Sequence, residues 1–548
     1  MNGTLIGMDK IIETDVLVIG AGPIGLAAAN LLADQGVNVM LVERHAGTSD
    51  EPRAISVTDE TLRVMQQIGI LDMLAPEMLM DTGARYFGRK EQLLAEVYPA
   101  SPRLGQPGKS QFDQPVMESL LLEAARARPL IDVRFTTEAF RITDGPGHVD
   151  TVLIDDDGKH TVRSKWVLAC DGGRSPVRSQ LGIPMEGSTQ VQKWIVVDII
   201  NTPGDPERFS EFHCNGTRPV VVVPGVNGRR RYEFMLLHGE EAAAMTSPEA
   251  IISLIAPFQT IAAADIRRAA VYVAHQRVAL NYRVGHVLLA GDAAHMMPPF
   301  AGQALNAGIR DVANLAWKIA ANVRGTGTDA LVNTYQAERR PHAVDMVRLS
   351  HRIGTVVMNV NPALTAIRDA AITASGIIPT AKAWLAGMKF LKQPHFTDGC
   401  VADPGTGIPK RAAALVGRSV SQPQVILSTG DAVPLDAVLG TGWALLYFPH
   451  DRRAPFEVRR MDTGPLDAEG KNDGGPHLTL TGATAVTDTS GAFAAVAGSG
   501  MTLVVRPDRY VAAATTPDTQ QTAFEALAAY VPGLARLRNA EAGLPAAG

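Results

Sequence analysis

Three groups of residues in this 548-residue chain have types and spacing that could do chemistry. The first is Gly20-Ala21-Gly22-Pro23-Ile24-Gly25, with Glu43 some twenty positions on. Glycines at this spacing allow a tight turn, and they let a pyrophosphate approach a helix N-terminus, where free N–H groups and the helix dipole favour negative charge. Glu43 is placed to accept hydrogen bonds from a ribose diol. The second group is Cys170-Asp171-Gly172-Gly173-Arg174-Ser175-Pro176-Val177-Arg178. The third is Gly291-Asp292-Ala293-Ala294-His295, followed by Pro298-Pro299-Phe300-Ala301-Gly302-Gln303-Ala304-Leu305-Asn306. A carboxylate at Asp292 suits polyol hydroxyls. A helix opening after Gly302 would aim N–H groups at a ligand atom that gains negative charge.

These groups need strands that end where they begin. The apolar runs 15–19, 37–43, 166–169 and 287–290 read as buried parallel strands, with polar residues at their C-terminal ends. Residues 24–32 read as the helix of a β-α-β unit, and Leu305, Ile309, Val312, Leu315 and Ile319 form the apolar stripe of another helix. Between residues 190 and 280, runs such as WIVVDII and PVVVVPG alternate with Gly, Pro and Asn, which predicts an inserted antiparallel sheet. From about residue 400, short strands and Gly/Pro-rich turns predict a separate domain. The expected architecture is therefore α/β, with a discontinuous Rossmann-type nucleotide domain (1–189 and 281–395), a substrate sheet (190–280) and a C-terminal domain (400–548).

Composition narrows the function classes. A net charge of −5 offers no basic surplus for nucleic acid. The three cysteines, Cys170, Cys214 and Cys400, are far apart, which argues against disulfides, a zinc site or a dithiol centre, and no metal is expected. The N-terminus has no basic region followed by a long apolar run. The segment Ile251–Ala264 is too short to span a bilayer, so a cytoplasmic enzyme without a membrane partner is expected.

Taken in this order, the three motifs resemble those of the class A flavoprotein aromatic hydroxylases, the group of para-hydroxybenzoate hydroxylase and phenol hydroxylase, over roughly residues 12–350. The resemblance implies bound FAD, NADH or NADPH as a transient reductant, and O2 as co-substrate. It adds Arg53 and Ala54, in an arginine loop beside the flavin, and Gln114 as an FAD contact. It places Arg44 near the adenosine end, and Asp171 with Arg178 in a stretch linked to NAD(P)H use. The family usually has Gly where this chain has Ala304. The segments 193–199, 230–240, 302–320 and 504–513 are similar to the 3-(3-hydroxyphenyl)propionate hydroxylase branch, whose tail is thioredoxin-like. Here the tail holds no cysteine pair, which leaves a structural or oligomeric role, a homodimer among the options.

The implied reaction is hydroxylation of a monocyclic phenol through a flavin C4a-hydroperoxide, the flavin supplying the chemistry and the protein the orientation. The phenol is expected between the inserted sheet and the flavin. His213, Arg218, Tyr232, Phe234 and His238 are the candidate contacts, with Pro299 from the flavin side. His213, Tyr232 and Arg53 form the candidate catalytic set, a His or Tyr relaying the phenol proton. Arg218 would pair with a phenylpropionate carboxylate. His295 is expected to support its loop. A nitrophenol or nitrocatechol losing nitrite, or a polycyclic polyketide or antibiotic, would leave the same motifs. A halogenase is disfavoured because Trp166, Trp194, Trp317, Trp384 and Trp443 make no W-x-W-x-I-P signature. A non-enzymatic flavoprotein is a further alternative.

Overall fold

The computed structural model describes residues 11–537, apart from 100–102, 377, 406 and 464–477. Its first sheet is built on parallel pairing. Ile11–Ile19 lies between Gly158–Ala169 and Val39–Val42, and Val287–Leu289 and Ile131–Arg134 extend the two sides. The runs Val16–Val18 and Leu288–Leu289 are wholly buried, as strands covered on both faces must be. Helix Pro23–Asp34 buries nine of its residues, and it packs against helix Ala304–Val323. The three chemical motifs all leave the C-terminal ends of strands of this sheet, the end at which open α/β sheets bind ligands.

The second sheet runs in the order His295–Met296, Ile266–Ala279, Met185–Ile199, Arg230–Leu236, Val220–Pro224, Phe209–His213, Gly83–Phe87, Leu93–Val97. It is wider than the expected segment 190–280. Strand Gly83–Phe87 joins in parallel to Phe209–His213 and covers what would otherwise be a bare edge of unpaired N–H and C=O groups. Its two faces have different neighbours. One face, with Ile195, Val197, Val220, Val222, Tyr232 and Phe234, packs under helix Pro248–Ile255. The other, with Trp194, Phe212, Val221, Val223 and Met235, packs against Phe300 and Val357.

In the third sheet, every strand pairing among the described residues is antiparallel. Phe456–Thr463 lies between Trp443–Phe448 and Thr484–Asp488. Trp443–Phe448 and Thr484–Asp488 are both antiparallel to it and so run in the same direction as each other. Buried charges dock this domain on the first. Arg506 donates to both oxygens of Glu338 at 2.8 Å, and Lys318 reaches the same carboxylate at 2.7 Å. Arg63 forms a second bridge, bidentate to Asp436. The three cysteines are free. Among the described residues, no helix is long and apolar enough to cross a membrane.

Candidate functional site

At the first turn, Gly20 has φ +103°, and a Cβ there would lie 2.6 Å from the Cys170 carbonyl oxygen. A Cβ on Gly25 would lie 1.9 Å from the Gly20 carbonyl oxygen. These two glycines are needed for close packing. Gly22 is different, since a Cβ there would meet nothing within 4 Å. The helix that starts at Pro23 has no side-chain cap. The amides of Gly22, Ile24 and Gly25 have no acceptor among the described residues. An uncapped helix end with three free donors and open space in front of it suits a pyrophosphate. Glu43 holds the turn from the side, accepting from Ala21 N at 3.0 Å and His45 N at 3.0 Å. Arg44 points to solvent, with its Nε 3.3 Å from the His45 ring.

Asp292 is open to solvent, yet it is ringed by protein. Its carboxylate has no hydrogen-bond partner among the described residues. Burial pushes it above the usual carboxylate range, against the pull of His295 and Arg53. An accessible, enclosed, unpartnered acid at a strand end suits a polyol. Behind it, Asp311 accepts from His295 Nε2 at 2.6 Å, Gly291 N at 3.2 Å and Arg339 Nε at 3.0 Å. Burial raises the Asp311 carboxyl, but His295 and Arg339 outweigh it and hold the group below its ordinary value. His295 is fully buried, as expected of a support for the loop. Asp311 was not foreseen, because nothing in the pattern of its helix separates it from an ordinary polar position.

The loop Pro299–Ala301 ends at Gly302, and helix Ala304–Val323 follows. The amides of Ala304, Leu305 and Asn306 have no acceptor among the described residues, so this second helix also presents free donors. The Asn306 side chain is fully committed elsewhere: it donates to Gly302 O and Ser56 O and accepts from Thr58 and Thr61. Leu305 packs into the core. Gln114 is committed in the same way. It accepts from Ala54 N at 2.6 Å and donates to Glu118 at 2.6 Å, so it fixes the arginine loop from behind. The Arg53 side chain is exposed, and its carbonyl accepts from Arg231 at 2.7 Å. Asp171 accepts from Val177 N at 3.1 Å. Arg178 bridges the second and third motifs by donating to Gly173 O at 2.9 Å and Ala293 O at 3.0 Å.

The candidate substrate contacts on the inserted sheet lie away from the Phe300 loop or are held by other residues. Tyr232 and Phe234 lie on the face under helix Pro248–Ile255, stacked with ring centroids 5.9 Å apart. His213 shares that side, its ring edge-on to Phe258. It is held by Glu91 at 2.7 Å and Glu211 at 3.1 Å. Burial works against the imidazolium, but these two carboxylates raise its pKa above the ordinary histidine value. Arg218 is paired with Glu240 and also donates to Met235 O at 3.0 Å. His238 is exposed on a turn. The reason is alternation: successive strand residues face opposite ways, and which set faces the cleft depends on the packing partner.

The opposite set packs on the Phe300 loop that follows the third motif. Trp194 meets Phe300 edge to face at 5.5 Å. Tyr272 donates to Glu233 at 3.4 Å. Burial raises both groups' pKa values. Arg231 grips Asp198 at 2.6 Å and ties the sheet to the arginine loop. Two surface cavities of about 630 Å³ lie elsewhere, one of them at the N-terminal ends of the parallel strands, the end opposite the motifs.

Comparison with known proteins agrees with this geometry. Residues 13–350 match the family described as FAD binding domain, and residues 417–530 match the HcaD C-terminal domain. The chain belongs to this FAD-binding domain family. It is 36% identical over 519 residues to a protein of Mycolicibacterium smegmatis named 3-(3-hydroxy-phenyl)propionate/3-hydroxycinnamic acid hydroxylase, covering 91% of this chain and 90% of that one. Its fold is similar to that of the flavin-dependent monooxygenase PieE, solved with FAD and substrate (TM-score 0.74, 21% identity, 95% of this chain and 99% of that one). It is also similar to that of the p-nitrophenol 4-monooxygenase PnpA of Pseudomonas putida (TM-score 0.63, 23% identity, 69% of this chain and 98% of that one).

Proposed function

We propose that this flavin-dependent aromatic hydroxylase acts on a monocyclic phenol with a short carboxylate-bearing side chain, of the hydroxyphenylpropionate kind. The observation that carries the reading is the aromatic face of Trp194, Phe212 and Tyr272, set against Phe300 of the loop that leads into helix Ala304–Val323. The name of the Mycolicibacterium smegmatis relative supports the side chain. The likenesses to solved structures speak for the fold alone.

Bound FAD would supply the redox chemistry, acceptance of a hydride from NAD(P)H and activation of O2. The residues of this chain do the rest. Gly22, Ile24 and Gly25 would hold the pyrophosphate, Glu43 a ribose and Asp292 the ribityl hydroxyls. The amides of Ala304, Leu305 and Asn306 would steady negative charge on the flavin pyrimidine. Trp194, Phe212 and Phe300 exclude water and orient the ring. The phenol O–H donates to the Tyr272 oxygen while the Tyr272 O–H donates to Glu233, so the proton comes to rest on that carboxylate. Glu233 suits this work because burial makes it a stronger base than an exposed glutamate. The domain division that fits is a nucleotide domain, a substrate sheet that also draws on residues 83–97, and the C-terminal domain.

The test is a panel of phenols with NADH or NADPH, scoring oxygen uptake, hydrogen peroxide, nitrite and product. The expected result is coupled ring hydroxylation of 3-(3-hydroxyphenyl)propionate without nitrite. Failure of every phenol to stimulate NAD(P)H oxidation, or preference for a nitrophenol with nitrite release, overturns the reading.

A further inference from the structure

With Arg218 paired to Glu240, the proposed substrate's carboxylate needs another partner, and a cation on the cleft-facing side lacks one. Lys109 lies on the short strand Lys109–Gln111, which pairs with Ser56–Thr58 of the arginine loop segment. Ser56 is itself against the flavin loop: a Cβ on Gly302 would lie 3.4 Å from the Ser56 Cβ. The Lys109 Nζ is 3.4 Å from Gly83 O and 3.5 Å from Ser210 Oγ, both at the outer limit of a hydrogen bond. No carboxylate is within ion-pair distance of it among the described residues. Protein surrounds it closely enough to bring its pKa down to about 8. An ammonium desolvated without a counter-charge is costly, and an anionic ligand would remove that cost.

Its neighbours have the matching chemistry. Gln111, two positions along the same strand, is 2% exposed and donates to Ser210 Oγ at 3.0 Å. Its Oε1, without a partner among the described residues, is an acceptor and does not meet an anion, so Gln111 serves by positioning Ser210. Because Ser210 accepts from Gln111, its own O–H is free to donate outward. Ser210 shares a strand face with Phe212, the face packed against Phe300 and Ile55. An ammonium and a hydroxyl converge beside the aromatic face that packs on Phe300.

We infer that Lys109 and Ser210, the latter held in place by Gln111, form the site that receives the side-chain carboxylate of the substrate, and so select phenolic acids over neutral phenols. This inference rests on the proposed substrate class. It is tested with the FAD-loaded enzyme and its Lys109→Met and Lys109→Arg variants. Binding of 3-phenylpropionate, which carries the carboxylate but no phenol, is measured by calorimetry. Turnover of 3-(3-hydroxyphenyl)propionate is compared with that of 3-propylphenol. A charge-assisted pair of this kind is worth about 10- to 100-fold in affinity. Lys109→Met is therefore expected to raise the Kd for phenylpropionate and the KM for the phenolic acid by about that factor. The KM for 3-propylphenol and the FAD content stay as they were, and Lys109→Arg recovers much of the loss. Equal effects on acid and neutral phenol, or a rise confined to the KM for NAD(P)H, overturn the site. If the wild type binds phenylpropionate through Lys109 but does not hydroxylate the phenolic acid, the substrate reading fails and the carboxylate site stands. If the acid is hydroxylated and Lys109→Met binds phenylpropionate normally, the site fails and the substrate reading stands. A wild type that neither binds nor hydroxylates these acids overturns both.

Discussion

His295 Nε2 lies 2.6 Å from Asp311 Oδ2, and neither side chain is reached by solvent. The pair joins the loop that carries Asp292 to the helix that presents the free amides of residues 304–306. Asp311 also carries the buried Arg339. Asp311→Asn would leave a buried guanidinium uncompensated, so a loss of about 3–5 kcal/mol is expected. Urea unfolding of the FAD-loaded enzyme measures it. A loss under 1 kcal/mol would remove Asp311 from the support of the site.

Asp292 predicts the opposite pairing of effects. Its carboxylate has no hydrogen-bond partner among the described residues, so Asp292→Ala is expected to leave the stability of the FAD-free protein within about 1 kcal/mol of wild type. FAD retention through gel filtration should fall sharply. Unchanged flavin content would show that the acid does not hold the cofactor.

The two faces of the substrate sheet separate Tyr232 from Tyr272. Tyr232→Phe, under helix Pro248–Ile255, should leave kcat and KM within twofold. Tyr272→Phe should lower kcat by about 10²- to 10⁴-fold, the ordinary contribution of a proton-transfer group, and flatten the acidic limb of the pH–rate profile. Arg218→Met should leave the KM for a phenolic acid unchanged, since Glu240 already answers that charge. Reversed effects would put the phenol on the other face.

Glu338 supplies the pH dependence of domain docking. Burial raises its carboxyl, but Arg506 and Lys318 outweigh burial and hold it well below the usual carboxylate range. A depressed carboxyl contributes stability that is complete above the unfolded value near 4.3 and is lost as pH falls toward the folded one. Glu338→Gln should therefore cost about 3–5 kcal/mol at pH 7, and the gap to wild type should narrow progressively below about pH 4.5. Thermal unfolding at stepped pH reads it. A gap that does not change with pH would mean that charge plays no part.

The sequence by itself determined where the glycine turn and the strand-end acids lie in the fold. Gly20–Gly25, Glu43, Asp171 and Asp292 are adjacent to the strands that place them, so local spacing carries their geometry. The strand and helix periods there were legible for the same reason: they are buried on both faces or on one continuous stripe. Only the tertiary structure decided how the two faces of the inserted sheet are covered. Alternation along Arg230–Leu236 announces two faces but not which one meets the flavin loop, and that depends on helix Pro248–Ile255 covering Tyr232 and Phe234 while Phe300 covers Trp194. Partners distant in the chain decided the rest: Glu240 claims Arg218, Asp311 claims His295, and Lys109 is brought beside Ser210 by a pairing of segments some hundred residues apart. Local propensity carries no record of such long-range choices, because packing makes them between surfaces that exist only after the strands have formed.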